Sequence, residues 1–125
     1  MIAALSMSEG GLAVETELDG DHYVARFTGV AELPAVTPLA SLLKSLHSAA
    51  IESHVKHVVA DFRALEFMNS ACFKNVVTWI TDIQDQPSDR QYRLVILSNE
   101  ALMWQRRSMH ALKAFATELI DVDTR

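Results

Sequence analysis

Three sets of residues have the types and spacing to do chemistry. The first is the polar step Asn69-Ser70 inside "DFRALEFMNSACFKNVVTWI", residues 61–80. Both are good helix N-cap residues. If Asn69 is the cap, Ser70 is the first helical residue and its hydroxyl turns outward at the helix mouth; on periodicity alone, a simple cap is the favoured reading. The second is Cys72, one turn into the same helix. A helix N-terminus lowers a thiol pKa and favours reactivity, but a small buried core residue is the preferred reading. The third is the histidines. His54 and His57 are three apart in an extended segment, which puts them on opposite faces and is wrong for sharing a metal. None of the five histidines clusters in sequence with carboxylates. There is no G-x-G-x-x-G, Walker A, H-E-x-x-H or nucleophile elbow. No metal, cofactor or catalytic activity is expected.

The elements that must position these residues are legible as alternating periods. Leu12–Leu18 alternates, with Val14, Thr16 and Leu18 opposite Glu15 and Glu17, and reads as an edge strand open to pairing with a second copy. Asp19-Gly20 favours a tight turn, and His22–Val30 returns as a second strand. After Pro34, a helix is expected from Pro38 to Glu52, with Leu39, Leu42, Leu43, Leu46 and Ala50 on one face. His54–Phe62 is β-branched and apolar on both faces, as a central strand should be. From Ser70, the residues Phe73, Val76, Val77, Ile80 and Ile83 form a helical stripe. Trp79 lies off that stripe, where an exposed contact residue and a ring covering the edge of the core are equal readings. Tyr92–Ser98 reads as another central strand, Ser98 or Asn99 as the cap of a third helix, and Leu119–Val122 as a short last strand.

The chain has 125 residues, half of them apolar, which fits one domain with a real core. A net charge of −5 and a pI of about 5.4 weigh against nucleic acid; Arg106-Arg107 reads as a solvated helix face. One cysteine excludes an internal disulfide and suits a reducing compartment. Residues 1–11 lack the basic and apolar regions of a signal peptide and read as a flexible leader to a domain over 12–125. No run approaches the roughly 18 apolar residues of a membrane span, so a cytoplasmic protein is expected. The element order predicts an α/β domain: a mixed sheet with an N-terminal antiparallel hairpin, parallel crossovers and helices packed on the sheet.

This order, with Thr28-Gly29 closing an early strand and "VVADFRALEFMNS" leading into a helix, resembles the STAS domain, the fold of bacterial anti-sigma-factor antagonists. The resemblance runs from about Leu12 to Val122 and rests on Asp61, Phe67, Met68 and Ser70. It implies a non-enzymatic binding module in a partner-switching pathway. Its partners would be a kinase-type anti-sigma factor or similar regulator and a phosphatase, and Ser70 is the implied phosphorylation site. The implied partner-binding residues are Glu32, Asp61, Met68, Asn69, Ser70, Ala71, Phe73 and Lys74. Where the family places an acidic residue, a second serine and a glycine, this chain has Asn69, Ala71 and Cys72. Those departures favour an alternative, a STAS scaffold or small-ligand sensor that is not phosphorylated.

Overall fold

The computed structural model describes residues 1–125. Six strands form one sheet in sequential order: β1 (Met7–Glu9), β2 (Leu12–Asp19), β3 (His22–Ala31), β4 (His57–Met68), β5 (Arg93–Ser98) and β6 (Ile120–Thr124). β1, β2 and β3 pair antiparallel, and β3 to β6 pair parallel. Helices α1 (Val36–Glu52), α2 (Ser70–Gln84) and α3 (Met103–Phe115) make the three crossovers. Each crossover moves the chain one strand in the same direction. Right-handed connections of that kind put every helix on one face of the sheet. The core lies there: Phe27, Ala60, Phe62, Leu94, Ile96 and Ile120 of the sheet pack with Leu39, Leu46, Val76, Ile80, Met109 and Leu112 of the helices.

The sheet and helices are those expected, with boundaries moved by a few residues, and four local expectations change. Residues 1–11 are not a flexible leader. Leu5 is buried in the core, and Met7–Glu9 pair with β2 from Met7↔Val14 to Glu9↔Leu12. The edge expected at Leu12–Leu18 is therefore taken from Leu12 to Val14 by the chain's own β1, and the Ile2 N–H donates to the Thr16 carbonyl, so only a short stretch of that edge is free for a second copy. Trp79 is fully buried: its Nε1 donates to the Tyr92 hydroxyl at 2.7 Å. That hydroxyl lies 2.8 Å from His47 Nδ1. Burial holds His47 below its ordinary pKa and pushes Tyr92 up, so a neutral imidazole accepting the Tyr92 proton is the favoured arrangement. Finally, α3 has no side-chain cap from Ser98 or Asn99; it starts at Met103, after Leu102.

The largest difference is the length of β4, expected to end at Phe62 but continuing to Met68. Its pairing with β3 shifts register twice, between Arg26 and Thr28 and between Gly29 and Val30. Each shift inserts an extra β4 residue and flips the facing of the residues beyond it. Phe62, Leu65 and Met68 therefore all face the core at a spacing of three. Gly29 sits at the second shift with φ of 93°, and a Cβ there would run into the carbonyl oxygen of Gly11. Only glycine meets both demands.

Candidate functional site

The site is built where β3 and β4 end together. Val30 pairs with Phe67 and Ala31 with Met68. One further bond, from Asn69 N–H to the Ala31 carbonyl at 2.8 Å, extends the ladder to the helix cap. Glu32, which follows β3, and Ser70, which opens α2, thus emerge side by side at the carboxyl ends of two parallel strands. That is the edge of an α/β sheet where sites are usually built.

Of the two cap candidates in the sequence, Asn69 is the one that caps α2, and Ser70 is the first helical residue. Its backbone is extended (φ −75°, ψ 170°), and its Oδ1 accepts from Cys72 N–H at 2.8 Å. The Phe73 N–H bonds to the Asn69 carbonyl at 2.9 Å. The N–H groups of Ser70 and Ala71 are the remaining open donors of the helix. Ser70 is exposed, and no other group of the chain engages its hydroxyl. Lys74, one turn on and also exposed, shares its face of α2. No acidic residue lies in the first turn of α2.

Two ties lock the step. Cys72 is fully buried, and its Sγ donates to the Glu32 carbonyl at 3.5 Å. Burial pushes its thiol pKa up, the opposite of what a reactive cysteine needs. Asn75 Nδ2 donates to the Val36 carbonyl at 2.9 Å, fastening α2 to the start of α1.

The structure gathers Glu32, Asn69, Ser70, Ala71, Phe73 and Lys74 at this end of the sheet. Met68 joins them in position, but at 7% exposure it serves as packing beneath the surface. Asp61 is not brought there. It pairs with Arg26, five β3 residues back from Ala31, which is about 17 Å along the strand. Its carboxylate faces the side of the sheet without helices and is held by Arg63, with Nε–Oδ1 at 2.9 Å and Nη2–Oδ2 at 2.8 Å. The Arg63 guanidinium keeps the Asp61 carboxyl below its usual pKa.

Sequence reasoning did not place Leu33 at the site and used Phe67 only as a motif residue. They are 75% and 42% exposed; Leu33 follows Glu32 after β3, and Phe67 lies near the end of β4. Large apolar side chains left in solvent at this end of the sheet are candidates for a contact surface. None of the main clefts is lined by Glu32, Ser70 or Lys74.

No protein-family model and no curated protein matches the chain. Among solved structures, the fold is similar to that of an anti-sigma factor antagonist from Mycobacterium paratuberculosis. The TM-score is 0.62 at 15% identity, over 87% of this chain and 84% of that one. The chain has the STAS fold that the order of its elements suggested. No helix is long and apolar enough to cross a membrane.

Proposed function

We propose that this chain, having the fold of an anti-sigma factor antagonist, is a non-enzymatic binding module of a bacterial partner-switching pathway, and that Ser70 is the residue on which the switch acts. The observation that carries the reading is the free, exposed Ser70 hydroxyl at the first turn of α2, at the same end of the sheet as the exposed Leu33 and Phe67. The partner is a kinase-type anti-sigma factor or similar regulator that docks on this surface in the cytoplasm, and a phosphatase resets the module. Glu32, Asn69, Ala71, Phe73 and Lys74 belong to the docking surface or support it.

Phosphorylation would add about −1.5 to −2 charge at pH 7. The open N–H groups and the helix dipole would stabilise that charge by roughly 0.3–1 kcal/mol at an exposed position, and Lys74 adds a cation one turn away. The fold survives, but a dianion now stands on the exposed end of the sheet and repels an apolar or acidic partner patch. Pull-downs from a lysate of the source organism with wild type, Ser70→Ala and Ser70→Asp test this. Wild type and Ser70→Ala should recover one common partner, and Ser70→Asp should lose it. Equal recovery by all three would sink the switch.

The buried Cys72, tied to Glu32 where the family has a glycine, favours a second reading: a STAS scaffold or small-ligand sensor that is not phosphorylated. Intact-mass measurement after incubation with the recovered partner and magnesium ATP separates the two. Addition of one phosphate at Ser70 rejects the scaffold reading, and an unchanged mass supports it.

A further inference from the structure

A second candidate site lies at the carboxyl ends of β5 and β6, beneath α3, and does not depend on the Ser70 reading. It is a half-open cleft of about 270 Å³ lined by Ser98, Glu100, Arg106, His110, Lys113 and Thr124, among others. Arg106, His110 and Lys113 recur at i, i+4 and i+7, so one stripe of α3 supplies all three.

The hydrogen-bond inventory of this cleft is unbalanced. Arg106 commits only Nε, to the Glu100 carbonyl at 3.1 Å, and is in no ion pair; both Nη groups stay free. Lys113 donates to the Thr117 and Ile120 carbonyls, which leaves one of its three N–H donors. Its nearest carboxylate, Asp121, is at 3.8 Å and already holds Arg93. The Ser98 and Thr124 hydroxyls bond to each other at 2.9 Å. One such bond uses one proton, so one O–H remains to donate. The lining's amide groups are satisfied: Asn99 Oδ1 accepts from Ala101 N–H, and Gln105 Oε1 from Asn99 N–H. Glu100 is the only carboxylate side chain in the lining. An acidic chain of net charge −5 therefore presents here a concave surface of free donors under positive charge.

The geometry points to a binding site for a small, acceptor-rich oxyanion, of the class of a phosphate ester or pyrophosphate. Arg106 would grip it with both Nη groups, Lys113 would neutralise it, and the Ser98–Thr124 pair would orient it through the remaining O–H. Planar guanidinium forks and hydroxyls are the groups that suit phosphate oxygens. The cleft is at the small end of ligand pockets, which fits a compact anion.

The test is titration of the ¹⁵N-labelled full chain with inorganic pyrophosphate at constant ionic strength. Saturable shifts are expected at the Ser98, Asn99 and Thr124 amides and at the Arg106 Nε–H. Arg106→Glu should weaken binding about tenfold or more, and Thr124→Val by a few fold, as loss of charged and neutral donors implies. Arg107→Glu makes the same charge change outside the cleft lining and should alter affinity less than about twofold. Shifts that never saturate, or equal losses from Arg106→Glu and Arg107→Glu, would overturn the proposal. Both arginines are exposed, so both variants should keep the fold, which circular dichroism of each one checks.

Discussion

At the scale of single residues, Asn69 does two separable things. Its Oδ1 caps α2, and its neutrality keeps a negative charge away from Ser70. Asn69→Ala removes the cap and should cost about 1 kcal/mol, seen as a lower urea midpoint with unchanged slope. Asn69→Asp keeps an acceptor for the Cys72 N–H and adds a carboxylate at a helix N-terminus, so stability should hold or rise by roughly 0.3–1 kcal/mol. The carboxylate would then oppose a second charge next door. In a double-mutant cycle, Asn69→Asp with Ser70→Asp should be less stable than the sum of the single changes. Strict additivity would show that the two positions do not sense each other. On this argument the asparagine, which stands where the family has an acid, makes a phosphate at Ser70 easier to hold.

At the scale of elements, the site depends on the far half of β4, which has lost a neighbour. β5 pairs with β4 only as far as Asp61↔Leu97. Beyond that point the carbonyls of Phe62, Arg63 and Leu65 would be orphaned, and α3 with its leading loop supplies the donors. Gln105 Nε2 bonds to Phe62 O at 2.6 Å and Leu65 O at 3.1 Å, Trp104 Nε1 to Leu65 O at 3.1 Å, and Asn99 Nδ2 to Arg63 O at 3.1 Å. Gln105→Leu should therefore cost about 1–3 kcal/mol, the penalty for unpaired buried polar groups. Amide exchange should speed up first over residues 62–70, before the global unfolding limit is reached. Uniform acceleration would show that Gln105 supports the whole core and not this segment. The same feature explains what the sequence hid. The hairpin and the three helices were legible because their apolar residues keep periods of 2 or 3.6; a cap at Asn69-Ser70 was legible from residue type, but not which of the two supplies it. Phe62, Leu65 and Met68 step by three, a period that belongs to neither element, because two register shifts lie between them. From sequence Phe67 consequently reads as part of a loop, and Leu33 carries no periodic signal at all. Gln105 was illegible for a related reason: a buried amide is chosen by carbonyls some 40 residues away in the chain.

At the scale of the molecule, three crossovers in one direction leave the other face of the sheet without helices. Parallel sheets are usually covered on both sides. Here the bare face carries Val24, Val59 and Val95 among ion pairs: Arg26–Glu17 at 3.0 Å, Arg63–Asp61 at 2.8 Å and Arg93–Asp121 at 2.7 Å. The stacked rings of His22 and His57, 4.2 Å apart, lie at its amino end. These pairs are not equivalent. Arg93 and Asp121 are each about half exposed, and water screens most of their attraction. The Asp61 carboxylate is 10% exposed and bound side-on, so its loss leaves Arg63 without a partner; with Arg63 itself 42% exposed, about 1 kcal/mol is the expected scale. The sign comes from the pKa. In the fold, Arg63 holds Asp61 below its ordinary value of 3.8. The contribution is therefore complete above about pH 4 and is lost as pH falls through the lower folded value. Asp61→Asn should be less stable than wild type at pH 7, and by more than Asp121→Asn. As the pH is lowered from 4 towards 2, the wild-type and Asp61→Asn urea midpoints should converge, because the wild-type carboxyl becomes neutral as well. A gap that persists undiminished at the lowest pH would mean that Asp61 acts through packing, and that ion pairing is not what lets this face of the sheet stand open to water.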